Sequence, residues 1–186
     1  MAKTVFDKIL DTTTGPKSYN WYSNEVKKMT TTSARALINQ SKTTLRRKFG
    51  VMNLFAYYSK HKAKLPYYDK FPLTIIVGPA AGGFTGLNLH YLPMVLRAKL
   101  LDALMDITSD KKYDDNTKFN LSYNTLKRAS SMKYFKPCFK RYLTANVKSR
   151  FARVPASEWE IATFLPTASF EKASKTTVWK DSRGMI

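Results

Sequence analysis

Cysteine is nearly missing from this chain: among 186 residues, Cys138 stands alone. One thiol cannot close an internal disulfide or build a Cys-based zinc site. It lies in an aromatic, basic stretch with no histidine nearby, so the expected role is a buried structural thiol. Histidine is almost as scarce. His61 falls in a basic loop, His90 follows two predicted strands later, and neither sits in a metal-binding pattern. His90 is expected as a core-edge or hydrogen-bonding residue. Spacing alone leaves a Ser-His-Asp or Cys-His site open, and no further motif supports one. Long apolar runs are absent too: nothing approaches the roughly 18 residues of a membrane span. The opening MAKTVFDKIL lacks the apolar core of a signal peptide. The expectation is an intracellular product, or part of a particle assembled inside a cell, with no membrane partner.

Acidic residues are the remaining shortage. Only 13 Asp and Glu face 32 Lys and Arg, a net charge of +19. Such an excess adds self-repulsion without helping the core, so it points to a polyanionic partner, nucleic acid above all. A metal-dependent nuclease would need clustered carboxylates. The candidates are Asp102, Asp106 and Asp110 at a spacing of four, or Asp114 with Asp115. Acids along the outer side of a helix ordinarily form a solvated face. No catalytic residue, metal or cofactor is therefore assigned.

What is present suffices for one folded domain with extensions. Hydrophobic residues make up 44% and aromatics 13%, too much for a globally disordered chain. Residues 1 to 50 read as a basic, Thr/Ser-rich arm. In it Val5, Phe6, Ile9 and Leu10 have helical spacing, NWYSNEVKKM offers a second helix, and Ser41 to Lys48 is expected to extend over a partner. Residues 51 to 166 form the core domain. VMNLFAYY is a strand, KHKAKLPYYDKFP a polar loop, LTIIVG (73 to 78) a buried strand and PAAGG a turn. FTGLNLHYL (84 to 92) is a half-buried strand in which Leu87, Leu89 and Tyr91 alternate with Asn88, His90 and Leu92. Pro93 opens a helix, where its missing N–H costs least. Leu96, Leu100, Leu104 and Ile107 stripe that helix beside Leu101 and Met105. TSDKKYDDNTK is a surface loop, NLSYNTLKRAS another helix, and EWEIATFLP (158 to 166) a short helix or closing strand. Residues 167 to 186 are a polar, extended tail. The fold class is α+β: a small bent antiparallel sheet or SH3-like barrel packed on the central helix, with extended basic N- and C-terminal arms.

The glycines of GPAAGGFTGLNLHYLP (78 to 93) invite a phosphate-binding reading, which fails. A Walker-type loop needs lysine after its last glycine, followed by Ser or Thr. Gly86 is followed by Leu87 and Asn88, and the helix begins only after Pro93, so the stretch is a hairpin. Phosphate contacts are expected elsewhere. SMKYFKPCFKRYLTANVKSRFARVP (131 to 155) interleaves bases with aromatics and holds no acidic residue. The candidate DNA-binding residues are Arg46, Arg47, Lys48, Lys127, Arg128, Lys133, Lys136, Lys140, Arg141, Lys148, Arg150 and Arg153. Tyr134, Phe135, Phe139 and Tyr142 either stack on bases at an opened end or belong to the core, and most of the rings are assigned to the core. No base-reading motif appears, so binding is expected to be insensitive to sequence.

KLPYYDKFPLTIIVGPAAGGFTGLNLHYLP, followed by LRAKLLDALMD, resembles the DNA end protector proteins of T-even-type and related contractile-tailed phages. FKPCFKRYLTANVKSRFARVPASEWEIATFLP and MAKTVFDKIL add to the resemblance. It implies a minor virion protein that attaches to the ends of packaged linear double-stranded DNA. Such a protein shields those ends from host exonuclease and is tied to head completion. The implied partners are double-stranded DNA ends and other virion proteins, in the virion and in the host cytoplasm during assembly and after genome entry. No catalytic residue carries over, and the oligomeric state stays open. The rival reading is a structural virion component of neck, tail or baseplate whose basic arms bind neighbouring subunits.

Overall fold

Short β-branched and aromatic runs, separated by turn formers, build an antiparallel sheet whose two faces bury different side chains. The computed structural model describes residues 34–41, 43–47, 49–109, 112, 124–125, 128, 133, 135–155 and 158–184. Helix α1 (Ala34–Gln40) leads to β1 (Thr43–Thr44), followed by β2 (Met52–Leu54), β3 (Tyr68–Asp69), β4 (Leu73–Ala80) and β5 (Gly83–Asn88). A 3-10 turn, Leu89–Tyr91, delivers the chain to α2 (Met94–Ser109). A second 3-10 turn, Lys136–Cys138, precedes β6 (Phe139–Leu143), and a third, Thr144–Asn146, leads towards β7 (Phe151–Val154). The chain closes with α3 (Trp159–Phe164), β8 (Phe170–Glu171) and α4 (Lys175–Gly184).

The main sheet has the order β1-β7-β2-β4-β5-β6, every pair antiparallel, and β3 pairs with β8 separately. Register sets Met52 opposite Ile75 and Val154, and Ile75 opposite Leu87. These residues share the face that the helices cover. Leu37 of α1, Leu100, Leu101 and Leu104 of α2, Ile161 of α3 and Val178 of α4 complete that core. Shifted by one residue, Phe55, Ile76, Phe84, Tyr142 and Phe151 form a second cluster on the opposite face. Ring centroids there lie 5.0 to 5.9 Å apart, mostly edge to face, the favoured geometry for aromatic pairs. The sheet is bent. Arg47, just past edge strand β1, reaches the Gly83 carbonyl at the start of β5 (3.0 Å) and Thr144 Oγ1 (3.2 Å). Among the described residues no strand pairing closes a barrel, and β1 and β6 stay at the edges.

The α+β class, the antiparallel sheet, the hairpin of 73 to 88 and the helix after Pro93 match the sequence expectation. Several details differ. The strand expected to run to Leu92 stops at Asn88, because Asn88 Oδ1 accepts the His90 N–H (3.0 Å) and caps a 3-10 turn. The residues from Leu87 to Leu92 are all buried, so the apolar–polar alternation does not separate core from solvent. The turn is only Ala81 and Gly82, with Gly82 at φ 69°, while Pro79 and Ala80 extend β4 past the stretch that β2 pairs. EWEIATFLP resolves to helix. The tail beyond Phe170, expected to be extended, forms α4, whose Val178 is fully buried. Ala34, Leu37 and Ile38, within the stretch read as an arm, are buried in the main core. The expected helices before residue 34 and most of 110 to 134 lie outside the described residues. Among the described residues, no helix is long and apolar enough to cross a membrane.

Candidate nucleic-acid interface

The glycine-rich hairpin brings strands so close that side chains are excluded. A Cβ on Gly83 would lie 1.8 Å from the Tyr142 carbonyl oxygen. Around that bare turn the arginines gather. Arg141 donates to the Ala81 carbonyl and Arg47 to that of Gly83, while the Arg47 guanidinium sits 5.4 Å from the Phe84 ring centre. Arg46 and Arg47 line an open groove with Leu45, Phe49, Pro79 and Phe84. A phosphate cradle offers N–H groups to an anion, whereas this turn offers carbonyls to cations. The positive charge at the turn belongs to the arginines that it orients.

The β6–β7 connection carries the second group. Lys148 Nζ donates to the Ala145 carbonyl (3.1 Å), and its own N–H bonds Ala56 (2.8 Å), which fixes the connection against the end of β2. Arg150 and, on β7, Arg153 are exposed nearby in sequence. Lys140 differs: it is half-buried, its Nζ lies 4.1 Å from the Tyr91 ring centre, and burial pulls its pKa down. Lys133, Lys136 and Arg128 are exposed, whereas Lys48 and Lys127 fall outside the described residues. Of the aromatics considered for stacking, Tyr142 is buried in the core, Phe135 is half-buried and Phe139 is exposed. Tyr134 lies outside the described residues.

Sequence reading passed over a further site. The loop KHKAKLPYYDKFP, expected as a polar loop, folds beside the β6–β7 connection and forms an open groove of about 430 Å³. Arg35, Lys62, Lys70 and Lys148 line it together with Tyr58 and Phe71. The signal was present, since Lys60, Lys62, Lys64 and Lys70 interleave with Tyr67, Tyr68 and Phe71 much as bases and rings do in 131 to 155.

Inside the domain lies an array that resembles a nucleophile–base–acid relay. His90 Nδ1 is 2.6 Å from Asp69 Oδ2, and Nε2 is 2.8 Å from Thr167 Oγ1. A carboxylate only accepts, so Nδ1 carries the proton and Nε2 accepts from the Thr167 hydroxyl. Burial holds the His90 pKa below its ordinary value, against the pull of Asp69. All three side chains are buried, which leaves no approach for a substrate. The array is a fastening. Asp69 also accepts from Phe71 N–H (3.1 Å) and Asn88 Nδ2 (3.0 Å), and the same Nδ2 donates to Tyr142 Oη (3.0 Å). The His90 carbonyl accepts from Trp179 Nε1 of α4 (2.9 Å), and Arg97 Nε of α2 donates to the Leu92 carbonyl (2.9 Å). Cys138 is buried as expected, with its thiol pKa pushed up to about 12 by desolvation. Asp102 is exposed, and among the described residues no three His, Cys, Asp or Glu side chains are grouped to hold a metal.

Fold and surface together define an α+β protein with arginines and lysines at one sheet edge and its hairpin turn. Residues 3–182 match the family model described as Phage T4 terminal DNA protecting protein. The chain belongs to that family, the phage terminal DNA protecting proteins. Neither the curated proteins nor the solved structures provide a match.

Proposed function

We propose that this protein binds the ends of packaged linear double-stranded DNA and shields them from host exonuclease by occupying the end. The observation that carries the reading is the gathering of Arg46, Arg47 and Arg141 at the hairpin turn of a chain in this family. Lys148, Arg150 and Arg153 extend the cationic surface along a segment without acidic residues. Phosphate contacts of this kind position a protein on DNA and carry no sequence information. The protein travels in the virion, contributes to head completion through contacts with other virion proteins, and meets the host cytoplasm during assembly and after genome entry. The strand order β7-β2-β4-β5-β6, with a 3-10 turn between β6 and β7, supports an SH3-like topology for the domain.

Each phosphate neutralised contributes about −0.9 to the slope of log K against log salt. Replacing Arg141, Lys148, Arg150 and Arg153 together by alanine should flatten that slope by up to about 3.6 on the same basis. Linear duplex incubated with the wild-type protein should outlast exonuclease digestion of the bare duplex. Equal binding to circular and linear DNA, with no protection, would reject end binding.

A further inference from the structure

We propose that the groove between the 58–71 loop and the β6–β7 connection receives unpaired nucleotides of a DNA terminus. This rests on the end-binding reading and adds which form of end is held. The groove is concave, and at about 430 Å³ it falls within the usual range for small-ligand sites. Its chemistry is that of a single-strand site: ring faces for bases and cations for the backbone. Tyr58 stands 45% exposed at the rim, with Lys62 Nζ 5.2 Å from its ring centre, and Phe71 is half-buried beside it. Arg35, Lys62, Lys70 and Lys148 bring four positive charges to the lining, against the single carboxylate of Glu171, which lies 3.5 Å from Lys70.

A paired duplex keeps its base faces stacked within the helix and has no ring to offer Tyr58. Only a frayed or overhanging nucleotide brings a base face and a phosphate into the groove together. Lys148 gives the groove its place on the larger surface. It belongs both to this lining and to the cationic β6–β7 connection, so a duplex gripped along that connection delivers its terminus at the groove mouth. Lys172 Nζ donates to the carbonyls of Ala63 and Leu65, which holds the loop that forms one wall.

The test compares blunt duplex with duplex bearing a three-nucleotide overhang that carries 2-aminopurine at an unpaired position. Wild-type protein should prefer the overhang and quench the probe. Tyr58→Ala should lose that preference by about tenfold, the loss of one base–ring stack. Its affinity for blunt duplex should be unchanged, and Tyr58→Phe should restore the preference. Because Tyr58 lies at the rim, a matched unfolding curve for the variant is expected. Equal affinity for both duplexes with an unquenched probe would overturn the groove assignment and leave end binding standing. Failure to bind any linear duplex would overturn both. A Tyr58→Ala variant that loses only an acidic protein partner would assign the groove to that partner and overturn the proposal as well.

Discussion

Replacing Asp69 by alanine should destabilise this protein more than any single loss of surface charge. The carboxylate accepts two buried donors at Oδ2, Asn88 Nδ2 and His90 Nδ1, and the part-buried Phe71 N–H at Oδ1. Each buried donor left without an acceptor costs about 1–3 kcal/mol, so the two at Oδ2 give a central expectation of about 4 kcal/mol, to which the part-buried Phe71 N–H adds little. For a chain of this size that corresponds to a fall in Tm of roughly 8–16 °C. Asp69→Asn separates bond count from shape. Its carbonyl retains one set of donors, and His90 can accept at Nδ1 by moving its proton to Nε2. Asn88 Nδ2 then loses one of its two acceptors and keeps Tyr142 Oη, for a cost of about 2 kcal/mol. Urea unfolding followed by tryptophan fluorescence, with thermal melts by circular dichroism, measures both variants. An alanine variant within about 1 kcal/mol of wild type, or alanine and asparagine variants of equal stability, would refute the reasoning.

Stability should also fall on mild acidification. His90 is held neutral in the folded state, so above its unfolded pKa of about 6.5 neither state binds the proton. Below that value only the unfolded chain does, and stability drops by about 1.4 kcal/mol per pH unit until the folded pKa is reached. Melts between pH 5 and 8 should lose this slope in His90→Gln. Gly83→Ala should cost about 3 kcal/mol or more, because the new Cβ meets backbone that cannot swing aside, and hydrogen exchange should quicken across β5 and β6. Cys138 should resist a thiol reagent at pH 8 until denaturant is added, since a pKa near 12 leaves on the order of a thousandfold less thiolate than an exposed cysteine.

Legibility in the sequence followed the range of the interactions. LTIIVG and the helix after Pro93 announce themselves because their periodicities are local, and both stand where patterning puts them. The alternation at Asn88 and His90 misled about burial, although the hydrogen-bonding role expected of His90 holds, because a polar residue at alternate positions ordinarily faces water. Here both are satisfied by Asp69, 19 and 21 residues earlier, and by Thr167, 77 residues later, and no window of sequence contains those partners. The tail became a helix for a similar reason: Val178 and Trp179 find their partners in the 3-10 turn and the core, not in their neighbours. Charge identified the cationic character of the surface from composition alone. It could not show that Arg47 and Arg141 meet across a turn, that Lys140 leans on Tyr91, or that the 58–71 loop forms a groove beside Lys148.

Strand β6 pairs with β5 alone among the described residues; on its outer side Phe139 N–H is taken by the Lys136 carbonyl and Leu143 N–H by Tyr57 Oη (3.4 Å), so only the middle of that row, around Arg141, is open to another chain. An open edge of this kind invites copies to stack into aggregates, and lysine on the edge is a common defence. Lys140 and Arg141 lie within its five residues. Two copies joined antiparallel through this edge would bring cations against cations, which is repulsive at any register of so short a strand. The charge at this edge should thus oppose self-association, and neutralising both residues should make the protein precipitate at concentrations where the parent stays clear.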